Sequence, residues 1–245
     1  CTTIVGDFVA SNVDLIMANG TTALQSAMAA TSSIPILGTS ITEYGVALGI
    51  DGFTGTTGIN VSGTSDLAPL DQQAAMLQEW FPDAQTVGLL YCSAEPNSQY
   101  QVDTVQGYLE QAGITCTQYS FSDSNDLSAV ATTACTESDV VYIPTDNTAA
   151  TNAELIGNIA LNAGTPIIAG EEGICSGCGV ATLTISYYDI GYKTGEMAYE
   201  ILVNGADPAS MAIEYAPQYV AKYNPDMCEA LGLTPPAGYE PISAE

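Results

Sequence analysis

The sequence predicts an α/β fold built as doubly wound parallel-sheet lobes, on three observations. Short apolar runs of strand length alternate with helix-length stretches along nearly all of the 245 residues. Each run ends in a polar break rich in Ser, Thr, Asn, Asp and Gly, which is where a parallel sheet presents its ligand-binding edge. The apolar fraction of 47% over this length is enough for a sizeable core, in one large domain or two lobes of roughly 100 residues each.

The elements follow in order. The first dozen residues read as the tail of a helix feeding a strand at Val13–Ala18, so the chain opens in mid-domain and the first lobe is expected to be incomplete. Asn19-Gly20-Thr21-Thr22 starts a helix to Ala30, and Ile34–Leu37 is a strand ending in Gly38-Thr39-Ser40. An irregular stretch surrounds Tyr44. The glycine-rich run Gly52–Gly58 lacks the spacing and the preceding strand of a dinucleotide fingerprint and reads as a loop before a strand at Gly58–Ser62.

After Gly63–Asp66 comes an amphipathic helix, Leu70–Trp80, closed by Pro82-Asp83. Strands near residues 86, 116, 140 and 166 then alternate with helices at Ser98–Ala112, Asn125–Cys135 and Thr148–Ala163. Their breaks are Ser93–Ser98, Pro144–Thr148 and Gly170–Gly173. A strand at Ala181–Ser186 leads through Tyr187-Tyr188-Asp189 into a helix at Ile190–Val203, followed by a short strand near Ile213 and a small helix at Pro225–Leu231. The expected division is residues 1–64 plus 190–245 for one lobe and 65–189 for the other. Met17, Met28 and Met76 are expected in the core.

With 28 acids, two lysines (Lys193 and Lys222), no arginine and no histidine, the formal charge is −26. Nucleic acid is excluded as a partner, because phosphate binding needs basic side chains, and anionic membrane surfaces are disfavoured for the same reason. No apolar run reaches the ~18 residues of a membrane span, and no basic, apolar leader opens the chain.

Seven cysteines cannot all pair within one chain. A six-residue strand from Cys116 rises about as far as the helix ending at Cys135 descends, so both sulfurs should return to one end of the sheet and form a disulfide. Cys175-Ser176-Gly177-Cys178 has neither a second CxxC nor any histidine to complete a tetrahedral site. It reads as a turn with two thiols, reduced or locally bridged, and no metal or cofactor is expected.

The absence of histidine removes the commonest general base, and no GxSxG, GxxxxGK[ST] or GxGxxG motif occurs. Glu171-Glu172 is the nearest approach to a catalytic carboxylate pair, but adjacent residues of an extended strand face opposite ways. Binding chemistry is better supplied. Thr21, Thr22, Ser93, Asn97, Ser98, Asn147 and Thr148 sit where helices begin, and free N–H groups there hold a carboxylate without arginine. Glu95, Asp146, Glu171, Glu172 and Asp189 lie beside the same breaks and suit an ammonium group. Capping alone also explains each of these residues singly, and Tyr187 and Tyr188 suit either core and rim or an aromatic wall.

With these breaks in view, the chain resembles the substrate-binding proteins of ABC importers of the tryptophan/tyrosine type, members of the type I periplasmic-binding-protein fold. The most specific matches are Ile143-Pro144-Thr145-Asp146-Asn147-Thr148 and Ser186-Tyr187-Tyr188-Asp189-Ile190-Gly191 followed by Thr194-Gly195. The resemblance implies two lobes joined by three crossovers, near Ser62–Asp66, Ser186–Asp189 and Ala206–Met211. It implies a monomer that traps an aromatic amino acid between the lobes, delivers it to a membrane permease, and performs no catalysis. Its place would be extracytoplasmic, periplasmic or lipid-anchored, with the signal segment absent from this chain. The residues expected to bind are Thr21, Thr22, Thr39, Ser40, Ser93, Glu95, Asn97, Ser98, Asp146, Asn147, Glu171, Tyr188 and Asp189. A sugar or nucleoside receptor, a non-binding fragment, and an α/β enzyme using Glu171 or Asp146 as base remain as alternatives.

Overall fold

The computed structural model describes residues 1–243. Along the chain run α1 (Thr2–Ala10), β1 (Ile16–Asn19), α2 (Thr21–Ala30), β2 (Ile36–Ile41), α3 (Tyr44–Leu48) and β3 (Val61–Ser65). Then come α4 (Leu70–Trp80), β4 (Thr86–Cys92), α5 (Pro96–Gln111), β5 (Thr115–Phe121), α6 (Leu127–Glu137) and β6 (Val140–Ile143). The remainder is α7 (Asn147–Thr151), α8 (Ala153–Ala163), β7 (Ile167–Ala169), α9 (Glu172–Gly177), β8 (Ala181–Thr184), α10 (Tyr187–Leu202), β9 (Glu214–Tyr215), β10 (Val220–Tyr223), α11 (Pro225–Leu231) and β11 (Glu240–Pro241).

The chain divides into two units, residues 1–67 with 186–218 and residues 68–185 with 219–245. The first holds a sheet of order β1-β2-β3-β9 with every pair parallel. Its core is Leu24, Ile36, Ile41, Tyr44 and Val61. Tyr44 reaches under the sheet and donates its hydroxyl to the Thr64 carbonyl at 3.1 Å. Room for it comes from Gly63, which has φ of +143° and whose Cβ, if present, would overlap the Gly38 carbonyl oxygen. Met17 corrects the expectation of a core methionine: it lies half-exposed on β1, whose side chains alternate inward and outward.

The second unit holds the sheet β11-β10-β8-β7-β6-β4-β5, parallel except where β10 runs antiparallel to β8. Its core joins Phe121, Leu127, Val141, Ile143, Ile156 and Ile167. Here the expected division needs correction. Residues 219–245 belong to this unit, because Val220 to Tyr223 pair with Thr184 to Ala181, and the third boundary falls at 218/219 rather than near 206–211. Lys222 interrupts the apolar pattern of that strand, and in the fold its ammonium reaches the Glu172 carboxylate at 2.7 and 2.8 Å.

Three further differences have local causes. The helix expected over Thr148–Ala163 breaks at Asn152, whose side chain donates back to the Thr148 carbonyl at 2.8 Å and diverts the backbone. Glu171 and Glu172 do not lie on an extended strand but open α9, and that helix also carries Cys175. All seven cysteines are free, Cys116 and Cys135 included. Side chains alternate along β5: Gln118 meets Asp103 and Gln106 of α5, while Tyr119 faces the core that contains Cys135. Cys116 has the parity of Gln118, so it stands on the face of the sheet opposite Cys135.

Candidate functional site

In each sheet the parallel strands carry their C-terminal ends to one edge, and the polar breaks collect there. In the first unit β1 ends at Gly20, whose φ of +85° turns the chain into α2 and whose N–H donates to the Thr39 carbonyl at 3.1 Å. That bond brings Thr21 and Thr22 beside Thr39. No side chain caps α2, and no acidic residue sits in its first turn. Thr21 is buried and Thr22 exposed.

Beyond Gly38 the pairing of β2 with β3 shifts register, and Ser40 adopts a left-handed φ of +54°. A bulge of this kind re-aims side chains at a strand end, and a non-glycine residue in this region is held there at a cost. Thr39 accepts from the Thr64 hydroxyl at 3.4 Å, and Thr64 meets Thr194 of α10 at 2.9 Å. Directly after β3 comes Asp66, 6% exposed, whose carboxylate accepts from the Tyr187 hydroxyl at 3.4 Å. Burial holds the Tyr44 phenol well above its ordinary pKa, reinforced by the charges of Asp66 and Tyr215. Asp189 opens α10, its N–H donating to Ser186 at 3.2 Å, and lines a cavity of about 370 Å³ with Thr64, Tyr192 and Tyr215. Tyr188, 78% exposed, does not line this cavity but stacks on Tyr192 at its rim.

In the second unit the predicted anion seat is already filled. The Glu95 carboxylate accepts from the backbone and side chain of Asn147 at 3.0 and 2.8 Å and from those of Thr148 at 2.9 and 2.8 Å. Asp146 accepts from Cys92 N–H at 2.7 Å and Ala149 N–H at 2.8 Å, joining β4 to α7. Its carboxyl is pushed up to about 6, first by burial and then by the Glu95 charge, against the lowering effect of those donors. Asn97 and Ser98 are buried, with Asn97 donating to the Thr145 carbonyl at 3.2 Å. Ser93 is exposed, and both its N–H and its hydroxyl donate to the Phe121 carbonyl. Glu171 caps α9 through the N–H groups of Gly173 and Ile174, and burial raises its pKa.

The structure therefore brings Thr21, Thr22, Thr39 and Ser40 together in one unit, and Glu95, Asn97, Ser98, Asp146 and Asn147 in the other. Asp66, Thr64 and Tyr44 were not singled out from sequence as binding residues. The register shift that places them has no sequence signature beyond Gly38 and Gly63. Among the described residues no group of three or more His, Cys, Asp or Glu side chains is arranged to hold a metal ion, and no helix is long and apolar enough to cross a membrane.

Two α/β units of parallel strands, with the chain passing between them three times and polar residues gathered at the strand ends, define a type I periplasmic-binding-protein-like fold. The chain belongs to the ABC transporter substrate binding protein family, whose model matches residues 1–237. It is 34% identical over 199 residues to a tyrosine-binding protein of Clostridioides difficile strain R20291, covering 81% of this chain and 57% of that protein. It thus spans less than two thirds of that curated relative's length.

Among solved structures, a Streptococcus pneumoniae ABC domain in complex with L-Trp is 28% identical, with a TM-score of 0.91 over 98% of this chain and 85% of that one. A ligand-free, open substrate binding protein with adhesive properties from Clostridium difficile is 33% identical, with a TM-score of 0.74 over 100% of this chain and 83% of that one. A LacI family transcriptional regulator from Bifidobacterium animalis, at 11% identity and a TM-score of 0.61 over 98% of this chain and 83% of that one, shares the fold alone.

Proposed function

We propose that this chain is the extracytoplasmic solute-capturing part of an ABC importer, a monomer that takes an aromatic amino acid between its two lobes and presents it to a membrane permease. The observation that carries the reading is the likeness to the L-Trp-bound domain along 98% of the chain at 28% identity, joined by the 34% identity to a tyrosine-binding protein. The chemistry of the strand ends supports it. The uncapped start of α2 at Thr21 and Thr22, with the hydroxyls of Thr39 and Ser40, suits the ligand carboxylate. Asn97, Ser98, Asp146 and Asn147 form a stiff polar floor in the second unit, with Ser93, Glu95, Glu171, Tyr188 and Asp189 as the remaining candidate contacts.

This role is non-catalytic. Glu171 and Asp146, the carboxylates an enzyme would use as base, are tied to backbone N–H groups of their own helices. Calorimetric titration with L-tryptophan, L-tyrosine and L-phenylalanine tests the proposal, with ribose and adenosine as competitors. Binding of at least one amino acid, undisturbed by the competitors, is the expected result. Heat with ribose or adenosine alone would replace this reading with that of a sugar or nucleoside receptor.

A further inference from the structure

We propose that Asp66, with Tyr44, Tyr187 and Tyr215 gathered about it, is the seat of the ligand's ammonium group and confines the ligand to aromatic compounds bearing a primary amine. The inference rests on the receptor reading above and names the residue that sets its selectivity.

Placement comes first. Asp66 directly follows β3 on the edge where the strands of its unit end, and its N–H is pinned to the Ile41 carbonyl at 3.3 Å. The carboxylate is 6% exposed, and the Tyr187 hydroxyl donates to it at 3.4 Å and so fixes its orientation. Tyr44 is buried and donates its hydroxyl to the carbonyl of Thr64, two residues before Asp66, and Tyr215 pairs with Ser65, the residue just before it. Tyr187 and Tyr215 are half-exposed, 41% and 51%.

The chemistry of such a niche is specific. An ion pair formed where rings displace water is far stronger than one in bulk solvent, and an ammonium gains further from aromatic faces. A ligand hydroxyl gains neither term. The other carboxylates at strand ends serve a different purpose: Glu95, Asp146 and Glu171 each accept from N–H groups that open a helix, whereas the carboxylate of Asp66 accepts from the phenol of Tyr187. The uncapped start of α2 and the bulge at Thr39-Ser40, in the same unit, leave the ligand carboxylate its own place.

Calorimetry on the whole chain decides the matter, with L-tyrosine, its deaminated analogue 3-(4-hydroxyphenyl)propionate and ribose as probes, for the wild type, Asp66→Asn and Tyr187→Phe. The wild type should prefer tyrosine to the deaminated analogue by about 30-fold or more, and Asp66→Asn should reduce that ratio to about threefold or less. Tyr187→Phe should weaken tyrosine by roughly 3- to 10-fold and leave the analogue unchanged. A folded Asp66→Asn protein that keeps tyrosine affinity within about threefold overturns the ammonium seat while leaving the receptor reading intact. A wild type that binds ribose and no aromatic amino acid overturns both. If Asp66→Asn does not melt cooperatively, the wild-type ratio and Tyr187→Phe decide, and equal wild-type affinity for tyrosine and the analogue refutes the proposal.

Discussion

Thr148 gives both its N–H and its hydroxyl to the carboxylate of Glu95, at 2.9 and 2.8 Å, across 53 positions of sequence. The start of a helix that looks, in sequence, like a berth for a ligand's carboxylate is thus occupied by one of the protein's own. With Asn147 donating to the same group, the loop after β4 is clamped to the helix after β6. The candidate edge of the second unit is held stiff by acids acting as internal caps.

Glu95→Ala should therefore destabilise the protein by about 1–3 kcal/mol, since it strips a half-buried charge-assisted cluster of its acceptor. Glu95→Gln should fall between the two. Urea unfolding followed by circular dichroism checks the order, and equal midpoints for all three proteins would contradict the clamp.

Asp146 gives a pH signature of definite sign. Its folded-state pKa of about 6 lies above the ordinary aspartate value of 3.8, so folding takes up a proton. The associated stability is fully present below about pH 4 and is lost as pH rises through 6, by about 2–3 kcal/mol in all. Relative to Asp146→Asn, the wild type should gain stability when pH is lowered from 7 to 4. Glu95→Gln should move that change to lower pH, because the second cause of the shift is the Glu95 charge. Thermal melts across this range measure both.

Ser40→Gly removes the cost of a left-handed φ at a residue with a Cβ. A gain of about 1 kcal/mol in stability is expected and, on the proposed receptor reading, weaker binding of an aromatic amino acid as the bulge loosens. A melt and a titration on the same sample separate the two effects.

The cysteines make a chemical prediction. Cys92, Cys135, Cys175, Cys178 and Cys228 are buried, and burial pushes the Cys135 thiol up to about 11 and raises the others as well. Alkylation of the native protein at pH 8 should mark Cys1 rapidly and leave these five untouched. Unfolding without reductant should expose all seven, as read by intact mass; any pair that needs reductant first would refute the free-thiol assignment.

Much of the fold was legible because period and punctuation are local properties. The helix Leu70–Trp80 has the bounds read from its apolar face, and β4 begins at the expected Thr86. The family resemblance likewise stood on short contiguous motifs, Ile143–Thr148 and Ser186–Gly191. The site was legible only as a set of residue types. Thr21, Thr39, Asp146 and Glu95 lie at strand ends as expected, yet whether a carboxylate offers itself to a ligand or caps a helix depends on which loop lies alongside. Asp66 was not legible as a candidate, because nothing in Thr64-Ser65-Asp66 announces the tyrosines that the fold brings from residues 44, 187 and 215.

From the order of residues alone came the α/β class, the alternation of elements, the polar strand ends and the exclusion of histidine-dependent chemistry, all of which depend on neighbours within one or two turns of chain. Tertiary structure alone decided that Val220–Tyr223 and Glu240–Pro241 join the second sheet, that Cys116 and Cys135 stand on opposite faces of it, and that Glu95 fills the seat at Asn147 and Thr148. The physical reason is common to all three: strand pairing, side-chain parity and hydrogen-bond competition are settled between segments tens of residues apart, where local pattern carries no information about distance.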